Sequence, residues 1–250
     1  MQTLCIKDWA VWIPADIDLA EWAENNPALA DDGSTPKVAA VPPAMRRRLD
    51  RLGKISLSVA SDLVERNGYM PSVFCSRHGE IQTTIQMLKD LIWNNDISPT
   101  RFSLSVHNAI SGIFTIANKS ELPVTSITAG RQDLTSCFYE AYGQLKEAKS
   151  DNVLCVIYDE PIPAEYQKYC PVPRYPYAVG FVLSLDQGIK CSLSHSKELS
   201  SDCIENDGKI CKEVMALEFI KAIILQKESV EFVTDNSCGK QVWQVTLENY

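Results

Sequence analysis

Between residues 70 and 160 the chain alternates short β-branched runs with amphipathic segments, and no other feature constrains the fold as much. The run 72-SVFCS-76 reads as a short buried strand. After Gly79, the residues Ile81, Ile85, Leu88 and Ile92 recur at helical spacing. The break 98-SPT-100 precedes 105-SVHNAISGIFTIAN-118, predicted as a largely buried helix in which Gly112 allows close packing. Residues 123–129 read as a strand, 132–149 as a helix and 152-NVLCVIYDE-160 as a strand. Such alternation argues for an α/β fold with a mainly parallel sheet covered by helices on both faces.

The flanks are less regular. Residues 3–13 read as a strand and 15–25 as a short amphipathic helix. Residues 26–43 hold four prolines and Gly33 and form a loop. Leu49, Leu52, Ile55, Val59 and Leu63 place one long helix over 45–67, ended by Asn67-Gly68. The proline cluster 161–176 is a surface loop. Strands at 177–185 and 189–194 are joined by Asp186-Gln187-Gly188, a hairpin signal. A helix near 210–226 and strands at 229–234 and 240–247 complete the chain.

Charge and cysteine usage exclude several classes. A net charge of −8 argues against a nucleic-acid partner, which needs a basic face. The basic knot 46-RRRLDRLGK-54 reads as a solvated helix face; if functional, it suits an acidic carrier or partner protein. No apolar run reaches the ~20 residues needed to span a bilayer, and residues 1–14 do not read as a signal peptide. The nine cysteines form no C-x-x-C pair, which argues against a zinc or iron–sulfur site and for a reduced, cytoplasmic protein.

The stretch 123-PVTSITAGRQDLTSCFYEAYGQL-145 has the strand–tight turn–helix form in which many enzymes hold a nucleophile near a helix N-terminus. Here Arg131 follows the glycine. It is a permanent cation that cannot attack and that the helix dipole disfavours. Asp133 suits that end better and is placed to pair with Arg131. The histidines His78, His107 and His195 lack metal-ligand spacing; His78 in 76-SRHGE-80 reads as holding a turn, and His107 as a core residue on a helix. Asp159-Glu160 ends a strand, and adjacent strand residues face opposite ways, so the pair reads as loop capping rather than an acid/base dyad.

The string from Ser98-Pro99 to Glu160 resembles the N-terminal half of β-ketoacyl-acyl-carrier-protein synthases. The resemblance rests on the Ser-Pro lead-in, the Asn-x-x-x-Gly helix core at Asn108 and Gly112, and the strand from Pro123 into Thr128-Ala129. In that family the elbow reads Thr-Ala-Cys. Counted from Pro123, the nucleophile position falls on Arg131, or on Gly130 or Gln132 if the turn differs by one residue. The match is closest over 70–160 and weaker over 1–69, where 46-RRRLDRLGK-54, like 76-SRHGE-80, is similar to segments of the chain length factors of aryl polyene pathways.

The resemblance implies a thiolase-like fold in which residues 1–250 form a single truncated ketosynthase-like domain, without room for the half that carries two catalytic histidines. It implies a non-catalytic chain length factor without cofactor. Such a subunit pairs with a ketosynthase as a heterodimer, meets acyl carrier protein through that complex, and shapes the acyl tunnel. Candidate tunnel residues are Ile85, Leu88, Phe102, Leu104, His107 and Phe114. Candidate partner contacts are Asn108, Gly112, Thr125, Ser126, Ile127 and Thr128, and candidate carrier-docking residues are Arg46, Arg47, Arg48 and Arg51. The alternatives are a small acyltransferase or thioesterase using Cys137 with His107, and a scaffold that only docks a carrier protein.

Overall fold

The structure, a computed structural model, describes residues 2–147, 150–170, 173–196, 214–236 and 239–248. Strand β1 (Gln2–Trp12) opens the chain. Asp18 accepts hydrogen bonds from the amides of Ala20 and Glu21, at 2.9 and 3.0 Å, and so starts α1 (Leu19–Asn25) later than residue 15. The helix expected over 45–67 is two helices, α2 (Pro43–Arg46) and α3 (Arg51–Asn67). Asp50 separates them in an extended conformation, its carboxylate taken by the Thr83 hydroxyl. The first turn of α3 is capped from outside, the Gly53 amide donating to Glu80.

Then follow β2 (Ser72–Cys75), α4 (Ile81–Asn94), α5 (Pro99–Ser105), α6 (Ala109–Asn118), β3 (Val124–Ile127), α7 (Asp133–Lys146) and β4 (Val153–Asp159). The expected helix 105–118 is broken: Val106 is extended, and α5 ends before it. Gly112 does not serve close packing, since an added Cβ there meets nothing within 4 Å. After a 3-10 turn at Ala164–Tyr166 come β5 (Tyr177–Ser184), β6 (Ile189–Ser196), α8 (Met215–Ile224), β7 (Ser229–Asn236) and β8 (Gly239–Glu248). Most of the polar stretch 195–209, with Cys203, lies outside the described residues, as do Cys211 and Cys238. Among the described residues no helix is long and apolar enough to cross a membrane.

All eight strands form one sheet in the order β3-β2-β4-β5-β1-β6-β8-β7. Strand β2 runs parallel to β3 and β4, as the alternation over 70–160 predicts. The remaining neighbours are antiparallel, so the sheet is mixed and "mainly parallel" holds for that segment alone. Parallel neighbours need long crossovers, and in residues 70–160 the helices between β2, β3 and β4 supply them. The expected hairpin is also corrected. Strands β5 and β6 do not pair; β1 lies between them, antiparallel to both.

Every residue of β4 and β5 is buried, which requires cover on both faces. Leu154, Val156 and Tyr158 face one core with Leu52, Ile55, Val59 and Leu63 of α3 and Phe114 of α6. Val153, Cys155 and Ile157 face the other, with α7, α8 and Trp22 of α1. There Phe138, Phe181 and Phe219 form a mutual aromatic cluster with ring centroids 5.3–5.6 Å apart.

Candidate functional site at the strand ends

The three parallel strands end side by side, and in open α/β sheets sites form outside such carboxyl ends. Strand β2 runs into the turn 76–79, β3 through Thr128 into the elbow 129–132, and β4 ends on Asp159. Asp159 is only 2% exposed. It accepts from the Ser76 hydroxyl at 2.8 Å, the Arg77 amide at 2.9 Å and the His78 amide at 3.2 Å. Burial pushes its carboxyl up, while these donors and the Arg77 charge pull it back. The loop-capping reading of Asp159 thus acquires its object: the carboxylate folds the 76–79 turn. The Ser76 hydroxyl also accepts from the Gly79 amide at 2.8 Å.

His107 lies in the break between α5 and α6, half-buried, rather than on a helix as expected. Its Nε2 is 2.8 Å from the Ser76 carbonyl, so that nitrogen carries the proton and donates. This contact accounts for the broken helix, because the ring must swing toward the 76–79 turn.

The same turn grips the elbow. The Thr128 hydroxyl donates to the Arg77 carbonyl at 3.0 Å, and Arg77 Nε donates to the Gly130 carbonyl at 2.8 Å. Arg77 Nη1 lies 3.4 Å from Cys170 Sγ, and His78 Nε2 lies 3.3 Å from the same sulfur. Gly130 has φ +57, the one left-handed position of the elbow, and Arg131 follows it half-buried. The four elbow residues Ala129, Gly130, Arg131 and Gln132 carry neither thiol nor hydroxyl.

Asp133 does not pair with Arg131. It is buried, accepts from the Leu134 amide at 2.7 Å and from the Tyr177 hydroxyl at 3.3 Å, and burial pushes its pKa up to about 7. Nor does the structure bring Cys137 and His107 together. Cys137 is fully buried in the aromatic core under α7, which raises its thiol pKa well above the usual range, while His107 is bound to Ser76. A nucleophilic Cys137 is thereby overturned.

The other candidates fall in three places. Ile85 of α4 is half-buried in a groove with Pro161, Ile162 and Pro163. Phe114 is core, its ring 5.2 Å from Phe74. Leu88 and Phe102 are exposed, 52% and 57%, and Leu104 is half-buried. Asn108 precedes α6; Ser126 and Ser111 share a hydroxyl contact of 2.7 Å; the Thr125 hydroxyl accepts from Gln144 at 3.2 Å. Ile127 is half-buried. Arg51 is held by Asp31 at 2.6 Å and by the Ser34 carbonyl at 2.9 Å, and Arg46 reaches the Val38 carbonyl, so both pin the proline loop. Arg47 and Arg48 are exposed. Arg77 and Cys170 were not singled out by sequence reasoning; they are 93 residues apart and no local pattern links them.

The family model of the beta-ketoacyl synthase N-terminal domain matches residues 19–244. No curated protein matches the sequence. Among solved structures the chain is similar to one from the ketosynthase (ApeO) in complex with its chain length factor (ApeC) from Xenorhabdus doucetiae. That likeness has 27% identity and a TM-score of 0.79, covering 98% of this chain and 100% of that one. In fold it is similar to the ishigamide ketosynthase/chain length factor, at 13% identity and a TM-score of 0.70 over 98% and 99% of the two chains. The fold is also similar to that of a type II polyketide synthase acyl-carrier protein in complex with its ketosynthase bound to the hexaketide. There the identity is 7% and the TM-score 0.72 over 100% of both chains. The fold is thiolase-like.

Proposed function

The chain belongs to the beta-ketoacyl synthase N-terminal domain family, and from that membership we propose that it is a non-catalytic chain length factor. In this reading it pairs with a β-ketoacyl-carrier-protein synthase of an aryl polyene or related pathway and walls its acyl tunnel. Condensation is left to the partner, because the elbow 129–132 offers no nucleophile. Cys5, Cys75, Cys137, Cys155 and Cys191 are buried thiols outside any disulfide, which suits a reducing cytoplasm.

The observation that carries this reading is the open edge at β3. This strand is outermost in the sheet. The Pro123 and Ile127 carbonyls accept from the Ser72 and Ser76 amides, at 3.0 and 3.3 Å. In a parallel ladder the alternate residues, Val124 and Ser126, therefore turn their N–H and C=O groups toward the open side. Exposed Ile116, Leu122 and Val124 surround that edge. The run of packed helices α6, α5 and α4 continues the apolar surface through Phe102, Leu91, Ile92 and Trp93. Exposed apolar surface of this kind marks a protein interface. Asn108, Gly112 and residues 125–128 belong to the same side in this proposal.

Co-expression with a candidate ketosynthase of the same organism, followed by light scattering, tests the pairing. A stable 1:1 heterodimer is expected, and Val124→Pro is expected to abolish it while leaving the single chain folded. Proline at 124 removes an outward N–H and spares the bonds to β2. A monomer that ignores every ketosynthase would sink the reading.

Within the complex, Ile85, Leu88, Phe102, Leu104, His107 and Phe114 remain the proposed tunnel residues. Each CH₂ accommodated favours binding by about 0.8 kcal/mol until a side chain blocks the end. Phe102→Ala is therefore expected to shift products to longer chains by mass spectrometry; shorter products, or lost stability alone, would remove Phe102 from that role. Carrier docking, if it uses the basic knot, rests on Arg47 and Arg48, since Arg46 and Arg51 are engaged by the proline loop.

A further inference from the structure

We propose that Cys170 is an acyl acceptor: a thiol poised by His78 and Arg77 that takes an acyl group from a small thioester beside the vacant elbow. Three side chains carry the inference. His78 Nε2 and Arg77 Nη1 both lie within hydrogen-bond reach of Cys170 Sγ, at 3.3 and 3.4 Å. A thiol with a base at this distance and a permanent cation beside it is the arrangement that activates a cysteine nucleophile.

The arrangement is held from behind rather than assembled by chance on a surface. The Arg77 and His78 amides are fixed by buried Asp159, and the Arg77 guanidinium is aimed by the Gly130 carbonyl. The elbow carbonyl thus orients the cation that serves Cys170. Other charged or titratable groups acting on Arg77 and His78 are Asp159 from β4, Asp133 from α7 and Tyr177 from β5. Burial holds the His78 imidazole below its ordinary pKa, so it is neutral near pH 7 and free to accept a proton. Cys5, Cys75, Cys137, Cys155 and Cys191 are all buried, whereas Cys170 is half-exposed. Burial also raises the thiols of Cys5, Cys75, Cys137 and Cys191.

The step balances without a further reagent. His78 Nε2 takes the Cys170 proton, and the thiolate, steadied by Arg77, attacks the thioester carbonyl carbon. A new S–C bond forms and the bond from that carbon to the departing sulfur breaks. The departing thiolate then recovers the proton from His78. The outcome is thioester exchange onto Cys170, with no carbon–carbon bond made. The choice of a thioester rests on the reading given under Proposed function; the reactive thiol does not.

The test uses the full chain, alone or with whichever ketosynthase copurifies, and two probes: the S-hexanoyl thioester of N-acetylcysteamine, and iodoacetamide between pH 6 and 9. Peptide mass spectrometry reads each cysteine separately. At pH 7 the Cys170 peptide is expected to be hexanoylated and to be alkylated about tenfold faster than an ordinary thiol, the effect of a base and a cation held beside the sulfur. Arg77→Gln is expected to abolish that advantage and shift the alkylation profile to higher pH, while Arg77→Lys restores part of it. His78→Gln is expected to slow hexanoylation about a hundredfold or more, the scale of a lost general base.

An ordinary thiol profile at Cys170 that neither variant moves would overturn the proposal. So would hexanoyl found only on Cys203, Cys211 or Cys238, or a cluster-dependent alkylation with no hexanoylation. Pairing is read independently by light scattering, so a chain that pairs without being acylated sinks this inference alone. A chain acylated without pairing sinks the subunit reading alone.

Discussion

Gly188→Ala is expected to lower stability by about 3–5 kcal/mol, as the sum of backbone strain and a forced backbone shift. That is a large part of the 5–15 kcal/mol typical of a folded domain. The position is demanding because of how the chain passes β1. Strand β5 pairs with β1 from Trp12 to Cys5, and β6 pairs with its other side from Ile6 to Gln2. Both run opposite to β1, so residues 185–188 carry the chain from one side of β1 to the other without reversing direction. The crossing falls where the register shifts between Ile6 and Asp8. Gly188 sits there with φ +109, and an added Cβ would run into the Ile6 carbonyl group and the Lys7 Cα. All of these are backbone atoms, and none can rotate away. Gly33→Ala is the matched control, since Gly33 has φ +74 with nothing within 4 Å and carries only the strain of a left-handed alanine. Urea midpoints of the two variants read the difference; equal losses would show that the crossing tolerates a side chain.

That crossing also shows where local sequence stops informing. Asp186-Gln187-Gly188 between two apolar runs has the composition of a hairpin turn. Turn chemistry reports a glycine that needs unusual φ; it does not report which strand lies alongside. The pairing was decided by β1, far away in the sequence. By contrast the elements over 70–160 were legible because each buries a face whose period is visible locally. Strand β4 is one case, with Leu154, Val156 and Tyr158 on one core and Val153, Cys155 and Ile157 on the other.

Helix α4 marks a finer limit. Its existence was read from Ile81, Ile85, Leu88 and Ile92, yet the fully buried residues are Thr83 and Met87, while Leu88 is 52% and Ile92 74% exposed. The period was right, and the face that the helix buries is not its apolar stripe. The elbow was legible as a motif, and its lack of a nucleophile can be read from four residues. The tie between Arg77, His78 and Cys170 was not, because a proline-rich loop has no periodicity from which to place Cys170 against the 76–79 turn.

Carboxyls raised by desolvation make the second large effect one of pH. Burial is the main cause that pushes Glu80 up to about 8 and Asp133 and Glu160 each up to about 7. Glu80 is further raised by Asp50 and Glu160, and its Oε2 has no partner among the described residues. In the unfolded chain these groups titrate near 4. Between about pH 4 and pH 7–8 the folded chain therefore binds more protons than the unfolded one, and stability falls as pH rises through that window. His78 acts in the opposite sense: its lowered pKa costs stability as pH drops below about 6.5. Buried Asp159, also raised, acts in the same sense as these three, while the lowered Asp31, Asp32 and Glu165 lie at the screened surface, so the urea midpoint is expected to be higher at pH 5.5 than at pH 8. The difference is on the order of 5 kcal/mol, since each unit of pKa shift is worth about 1.4 kcal/mol. Glu80→Gln removes the most strongly raised group and is expected to flatten the slope above pH 6. A midpoint that climbs from pH 5.5 to pH 8 would mean that these carboxyls are ionised and paired in the folded chain.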